Sequence, residues 1–85
     1  MFENVKTILT ISKERDVDLF TARDMAKNEG GSYEELKKAF NFIQKYYDEV
    51  TALWKNGDTG SIETLITLDE CGDKDKIGEF LKGIR

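Results

Sequence analysis

Apolar positions in this chain recur mostly at helical spacing. Phe2, Val5, Ile8, Leu9 and Ser12 fall on one side of a first helix over 2–14. Glu3 lies near its positive end and Lys13 and Arg15 near its negative end, as the helix dipole favours. Residues 17–20 alternate enough for a short strand. Thr21, with Asp24 three residues on, has the form of an N-cap with a carboxylate variant of the capping box. Ala22, Met25 and Ala26 then give a second helix a small apolar face that another helix can approach closely. Gly30-Gly31 ends it and supplies the positive-φ positions a tight turn uses. Ser32 with Glu35 completes an S-x-x-E capping box. Leu36, Ala39, Phe40, Ile43 and Tyr47 follow as the buried face of a helix over 32–47. Its opposite face carries Glu34, Lys38, Asn41 and Lys45, with Lys37 and Gln44 on the flank, and Phe42 falls toward this polar side.

Beyond this helix the pattern changes period. Val50, Ala52 and Trp54 alternate with Thr51, Leu53 and Lys55 in a β-branched and aromatic context, which predicts a strand. Asn56-Gly57-Asp58-Thr59-Gly60 is a turn cluster, and 62–68 alternates again, so 50–68 reads as a β-hairpin. Asp69 can cap a last helix over 70–84, where Ile77, Phe80, Leu81 and Ile84 form an apolar stripe. Helix, helix–turn–helix, hairpin and final helix together predict one α+β domain over 1–85. It would have a three-helix core, a hairpin wing and a C-terminal helix.

Composition narrows the functional classes. A chain of 85 residues buries only roughly 60–65% of the surface its unfolded form exposes, so the core is thin. The single cysteine, Cys71, cannot form an internal disulfide or a metal cluster, which points to a reducing cytoplasm. There is no histidine, so the usual general base near neutral pH is missing. The acids Asp69-Glu70 and Asp73 with Asp75 do not meet calcium-loop spacing, and no nucleophile–base pair is evident. An enzyme, a metal site, a cofactor or a small-molecule ligand is therefore not expected. No run of about 18 apolar residues predicts a membrane span. The net charge is −4, with five basic and five acidic residues over 21–48 and five against eight over 49–85. The excess acid therefore sits mostly in the hairpin and last helix and leaves the helix–turn–helix neutral.

With these residues in place, the chain resembles the winged helix-turn-helix superfamily of small prokaryotic and archaeal transcription regulators. Thr21-Ala22-Arg23-Asp24-Met25-Ala26 is similar to the family's T-x-x-[DE]-[LM]-A second helix, and 32–43 to the start of its recognition helix. Leu68-Asp69-Glu70-Cys71-Gly72 resembles the L-T-x-x-G that leads from wing to last helix in MarR-like regulators, with Asp in place of Thr. The resemblance implies a sequence-specific duplex DNA-binding protein in which helix 32–47 enters the major groove. By position, Ser32, Tyr33, Glu34, Lys37, Lys38 and Asn41 would face the DNA. The lysines suit phosphate or guanine, Asn41 suits adenine, and the helix start at Ser32 suits phosphate. Arg23 and Lys27 would meet the backbone from the second helix, Lys45 would flank the site, and Lys55 would reach phosphate from the hairpin tip. Related regulators dimerise through terminal helices, which nominates Phe2, Val5, Leu9, Phe80, Leu81 and Ile84 as a homodimer interface. The same residues would also serve as the core of a monomer. The competing class is a winged-helix module that binds protein rather than nucleic acid, as the acidic last third favours.

Overall fold

The computed structural model describes residues 1–84, and every regular element among them is a helix. Six helices follow in order: α1 (Phe2–Arg15), α2 (Leu19–Asn28), α3 (Tyr33–Lys45), α4 (Tyr47–Lys55), α5 (Thr59–Cys71) and α6 (Lys74–Ile84). The chain divides into two compact units, Met1–Lys45 and a second from Tyr46 onward. In the first, α1, α2 and α3 pack on one another; in the second, α5 packs against both α4 and α6.

The first unit keeps the predicted order of helices and shifts their ends. Asp16 adopts the left-handed conformation (φ 52) and ends α1, where Val17 N–H donates to the Ser12 carbonyl at 3.1 Å. Ser12 Oγ donates to the Val17 carbonyl at 2.7 Å, fastening the same corner. The strand expected over 17–20 is therefore absent. Its first two residues form the link, and Leu19 and Phe20 open α2. Asp18, not Thr21, is the N-cap: its carboxylate accepts from Thr21 N–H at 2.7 Å. This backbone bond holds the Asp18 carboxyl below the usual carboxylate pKa, and the Thr21 side chain adds to the effect.

Val5, Ile8, Leu9 and Ile11 of α1, Ala22 and Ala26 of α2, and Leu36, Ala39, Phe42 and Ile43 of α3 are buried. Phe42, which the pattern placed toward the polar side, is 3% exposed, and Phe40 is only half-buried. The buried arc of α3 is thus rotated by one side chain from the expected one. Gly31 sits at the tight corner between α2 and α3. A Cβ there would lie 2.8 Å from Leu36 Cδ1 and 3.0 Å from the Ala26 carbonyl oxygen. Glycine at this position follows from close approach.

The second unit overturns the α+β expectation, because no hairpin wing exists among the described residues. The helix expected over 32–47 stops at Lys45, since Tyr46 leaves helical geometry (φ −122, ψ 42) and the chain restarts as α4. The break changes the helical phase, so Tyr47, expected on the buried face, is 50% exposed while Tyr46 is buried. Tyr46 donates its hydroxyl proton to Asp69 Oδ1 at 2.7 Å, tying the start of α4 to α5. On α4 the buried residues are Val50 and Leu53, three apart, and Ala52 is exposed; a strand would have buried Val50, Ala52 and Trp54 together. On α5 they are Ile62, Leu65 and Ile66, again at helical spacing.

The supposed hairpin turn is a junction between helices. Gly57 (φ +76) follows the C-cap Asn56 and closes α4, donating to the Trp54 carbonyl at 3.1 Å. Asp58 then caps α5, accepting from Ser61 Oγ at 2.7 Å and from Ser61 N–H at 3.1 Å, bonds that keep its carboxyl below the usual pKa. Asn-Gly therefore serves a helix C-terminus here as readily as it serves a hairpin. The β-branched threonines fit because their hydroxyls bond back one turn: Thr51 to the Tyr47 carbonyl, Thr64 to Gly60 and Thr67 to Glu63. The stretch compared with a wing-to-helix link is the end of α5, closed by Gly72 N–H on the Leu68 and Asp69 carbonyls. Asp73, not Asp69, caps the last helix, accepting from Lys76 N–H at 3.1 Å.

Candidate nucleic-acid interface

In a helix of 3.6 residues per turn, burying Leu36, Ala39, Phe42 and Ile43 forces Glu34, Lys37, Lys38, Asn41, Gln44 and Lys45 outward, and all six are exposed. Three lysines and two carboxamides thus share the outer face of α3 with one carboxylate. Leu36 and Ile43 are at most 1% exposed, which holds the register of this face against the core. The first unit as a whole has eight basic and eight acidic residues, so any positive field comes from placement rather than total charge. Ser32 and Tyr33 are exposed at the start of α3, where the Ser32 carbonyl accepts the Leu36 N–H at 2.9 Å.

The two cations of α2 are engaged with aromatic rings. Arg23 has a side chain only 13% exposed, and its guanidinium carbon lies 4.4 Å from the Phe20 ring centroid and 4.8 Å from that of Phe40. Those rings meet edge to face at 6.1 Å. Arg23 Nη2 reaches Asp24 Oδ1 at 3.5 Å, and its Nε is buried without a hydrogen-bond partner. Lys27 Nζ lies 4.7 Å from the centroid of the Tyr33 ring. These contacts touch both ends of the α2–α3 pair, beside the turn at Lys27–Tyr33 and about two turns along at Phe20–Phe40. Phe20 and Phe40 were not expected to flank Arg23, although the i, i+3, i+7 spacing of Phe20, Arg23 and Lys27 places all three on one side of α2.

Lys55 belongs to the second unit. It is exposed in the last turn of α4, not at a hairpin tip. The residues nominated for a dimer also divide. Val5 and Leu9 are 0% and 4% exposed, whereas Phe2, Phe80, Leu81 and Ile84 keep part of their surface. Within the second unit an open hollow of about 330 Å3 is lined by Asp48, Glu49, Ala52 and Ile84. Among the described residues no group of three or more Cys, Asp or Glu side chains could hold a metal ion, and no helix is long and apolar enough to cross a membrane.

Comparison with known proteins gives no match: no family model, no curated protein and no solved structure is similar to this chain.

Proposed function

We propose that this protein is a binding module that contacts duplex DNA through the outer face of α3. The observation carrying this reading is the exposed set of Lys37, Lys38, Asn41, Gln44 and Lys45 on a helix whose opposite face is anchored in the core. Lysines supply phosphate contacts, and carboxamides can pair with base edges in a major groove wide enough to admit a helix. Arg23 has no part in it, because its guanidinium is held against two phenylalanine rings, and the proposed face is drawn from the first unit alone. With three lysines on phosphates, the logarithm of affinity falls with a slope of about −2.7 against the logarithm of salt, or about 40-fold between about 50 and about 200 mM. Fluorescence anisotropy with a labelled mixed-sequence duplex at both salt concentrations tests this. The Lys37→Glu/Lys38→Glu variant should remove the binding, and no binding at the lower salt would count against the reading.

A second reading, a module that binds a protein partner, is favoured by the charge of the second unit. From Tyr46 on there are nine acidic and five basic residues, so this unit repels phosphate and would attract a basic partner.

A further inference from the structure

Along the seam between α2 and α3, aromatic rings and cations alternate. Phe20, Arg23 and Lys27 follow one side of α2, and Tyr33, Lys37 and Phe40 follow the adjoining side of α3 at i, i+4 and i+7. Arg23 lies against both Phe20 and Phe40, and Lys27 lies against Tyr33. A seam made only to close the core would enclose its rings, yet Phe20 is 55% and Tyr33 42% exposed. Each of these two rings therefore has a cation against it and much of its surface open to solvent. Three cations share the seam with one carboxylate, Asp24, in a chain whose net charge is −4.

We infer that this seam binds single-stranded nucleic acid, with bases stacking on Phe20 and Tyr33 and phosphates meeting Lys27 and Lys37. Every base has a π-face, so exposed rings flanked by cations suit an unpaired strand with little regard to its sequence. In a duplex the bases are stacked on each other and cannot reach these rings. Lys27 is seven residues from Phe20, which separates the two platforms by about 10 Å along α2. Arg23 is too enclosed to reach a phosphate, so its part is to hold the ring of Phe20 in place. The seam shares Lys37 with the outer face of α3 proposed for duplex, but its rings, Phe20 and Tyr33, and the duplex-facing Lys38 belong to one site each, so substitutions there let either fail without the other.

The test is anisotropy of the full chain with a labelled oligothymidylate and, in parallel, a labelled duplex, both at low salt. The single-stranded probe should bind, and Phe20→Ala and Tyr33→Ala should each weaken it at least fivefold, the lower bound for losing one base–aromatic stack. Tyr33→Phe keeps the ring and should retain binding. Lys38→Glu lies on the other face of α3 and should weaken the duplex while sparing the oligothymidylate. Circular dichroism of each variant checks that the helices persist. Absence of single-strand binding would overturn the inference, whatever the duplex does, and so would binding indifferent to both alanine substitutions. Duplex binding alone, lost in Lys38→Glu, would support the α3 face and refute the seam.

Discussion

Replacing Arg23 with alanine separates a packed arginine from a phosphate-reaching one. The guanidinium is within 5 Å of two ring centroids, and its side chain is 13% exposed. Each cation–π contact at such a partly desolvated site is worth about 1 kcal/mol. Truncation also removes two packed stem methylenes, whose burial is worth about 0.8 kcal/mol each. Against this, the buried Nε lacks a partner, and deleting it returns about 1 kcal/mol or more. The Asp24 contact at 3.5 Å adds little, because that carboxylate is half exposed. The net expectation is a loss of about 2 kcal/mol, or about 8–16 °C in melting temperature for a transition of this size. Arg23→Met keeps an apolar stem against the rings and removes the orphan Nε, so it should cost less than about 1 kcal/mol. Urea unfolding followed by circular dichroism measures both, and a cycle with Phe40→Leu should show a coupling of about 1 kcal/mol. A loss in Arg23→Ala below about 0.5 kcal/mol, the range of ordinary surface changes, would refute the double ring contact. A change of about 0.9 in the salt slope for DNA would show instead that Arg23 contacts phosphate.

Other expectations follow from the same packing. Leu53→Ala should cost about 2–5 kcal/mol in chemical denaturation, whereas Ala52→Lys should be neutral within about 0.5; strand alternation over 50–55 would reverse that order. Gly31→Ala should destabilise by about 1–3 kcal/mol, because Leu36 is enclosed and the Ala26 carbonyl is backbone; a neutral result would mean that the α2–α3 corner is more open than described. Asp18 and Asp58 have folded pKa values lowered by their cap bonds, so their contribution is present above the unfolded carboxylate value and is lost as pH falls through the folded one. In thermal melts across the acidic range, Asp18→Asn/Asp58→Asn should match the parent near neutrality, since Asn also caps, and should lose less stability on acidification. An unchanged acid dependence would contradict the two caps.

How far the fold could be read from the sequence depended on whether one period dominated. Leu36, Ala39 and Ile43, and Ala22 with Ala26, were read as core faces and are buried. The stretch over 50–68 offered two periods at once. Its Val, Thr, Ile and Trp favour a strand locally, but Val50 with Leu53 and Ile62 with Leu65 and Ile66 satisfy a helix, and packing decided between them. Asn56-Gly57 did not arbitrate, since a left-handed glycine closes helices and hairpins alike. A clearer signal was the series of aspartates three residues before an accepted N–H: Asp18 with Thr21, Asp58 with Ser61, and Asp73 with Lys76. Each marks a helix start, and the middle one excludes a hairpin. At the candidate site the outward lysines of α3 were legible from periodicity. The enclosure of Arg23 was not, because it depends on Phe40 arriving from another helix.

The most direct test of the α3 reading is amide NMR of the isotope-labelled protein titrated with duplex DNA at low salt. Binding through this face predicts that the resonances of Lys37, Lys38, Asn41, Gln44 and Lys45 shift together, while those of α5 and α6 stay in place. Shifts confined to residues 46–84, or none at all, would contradict it.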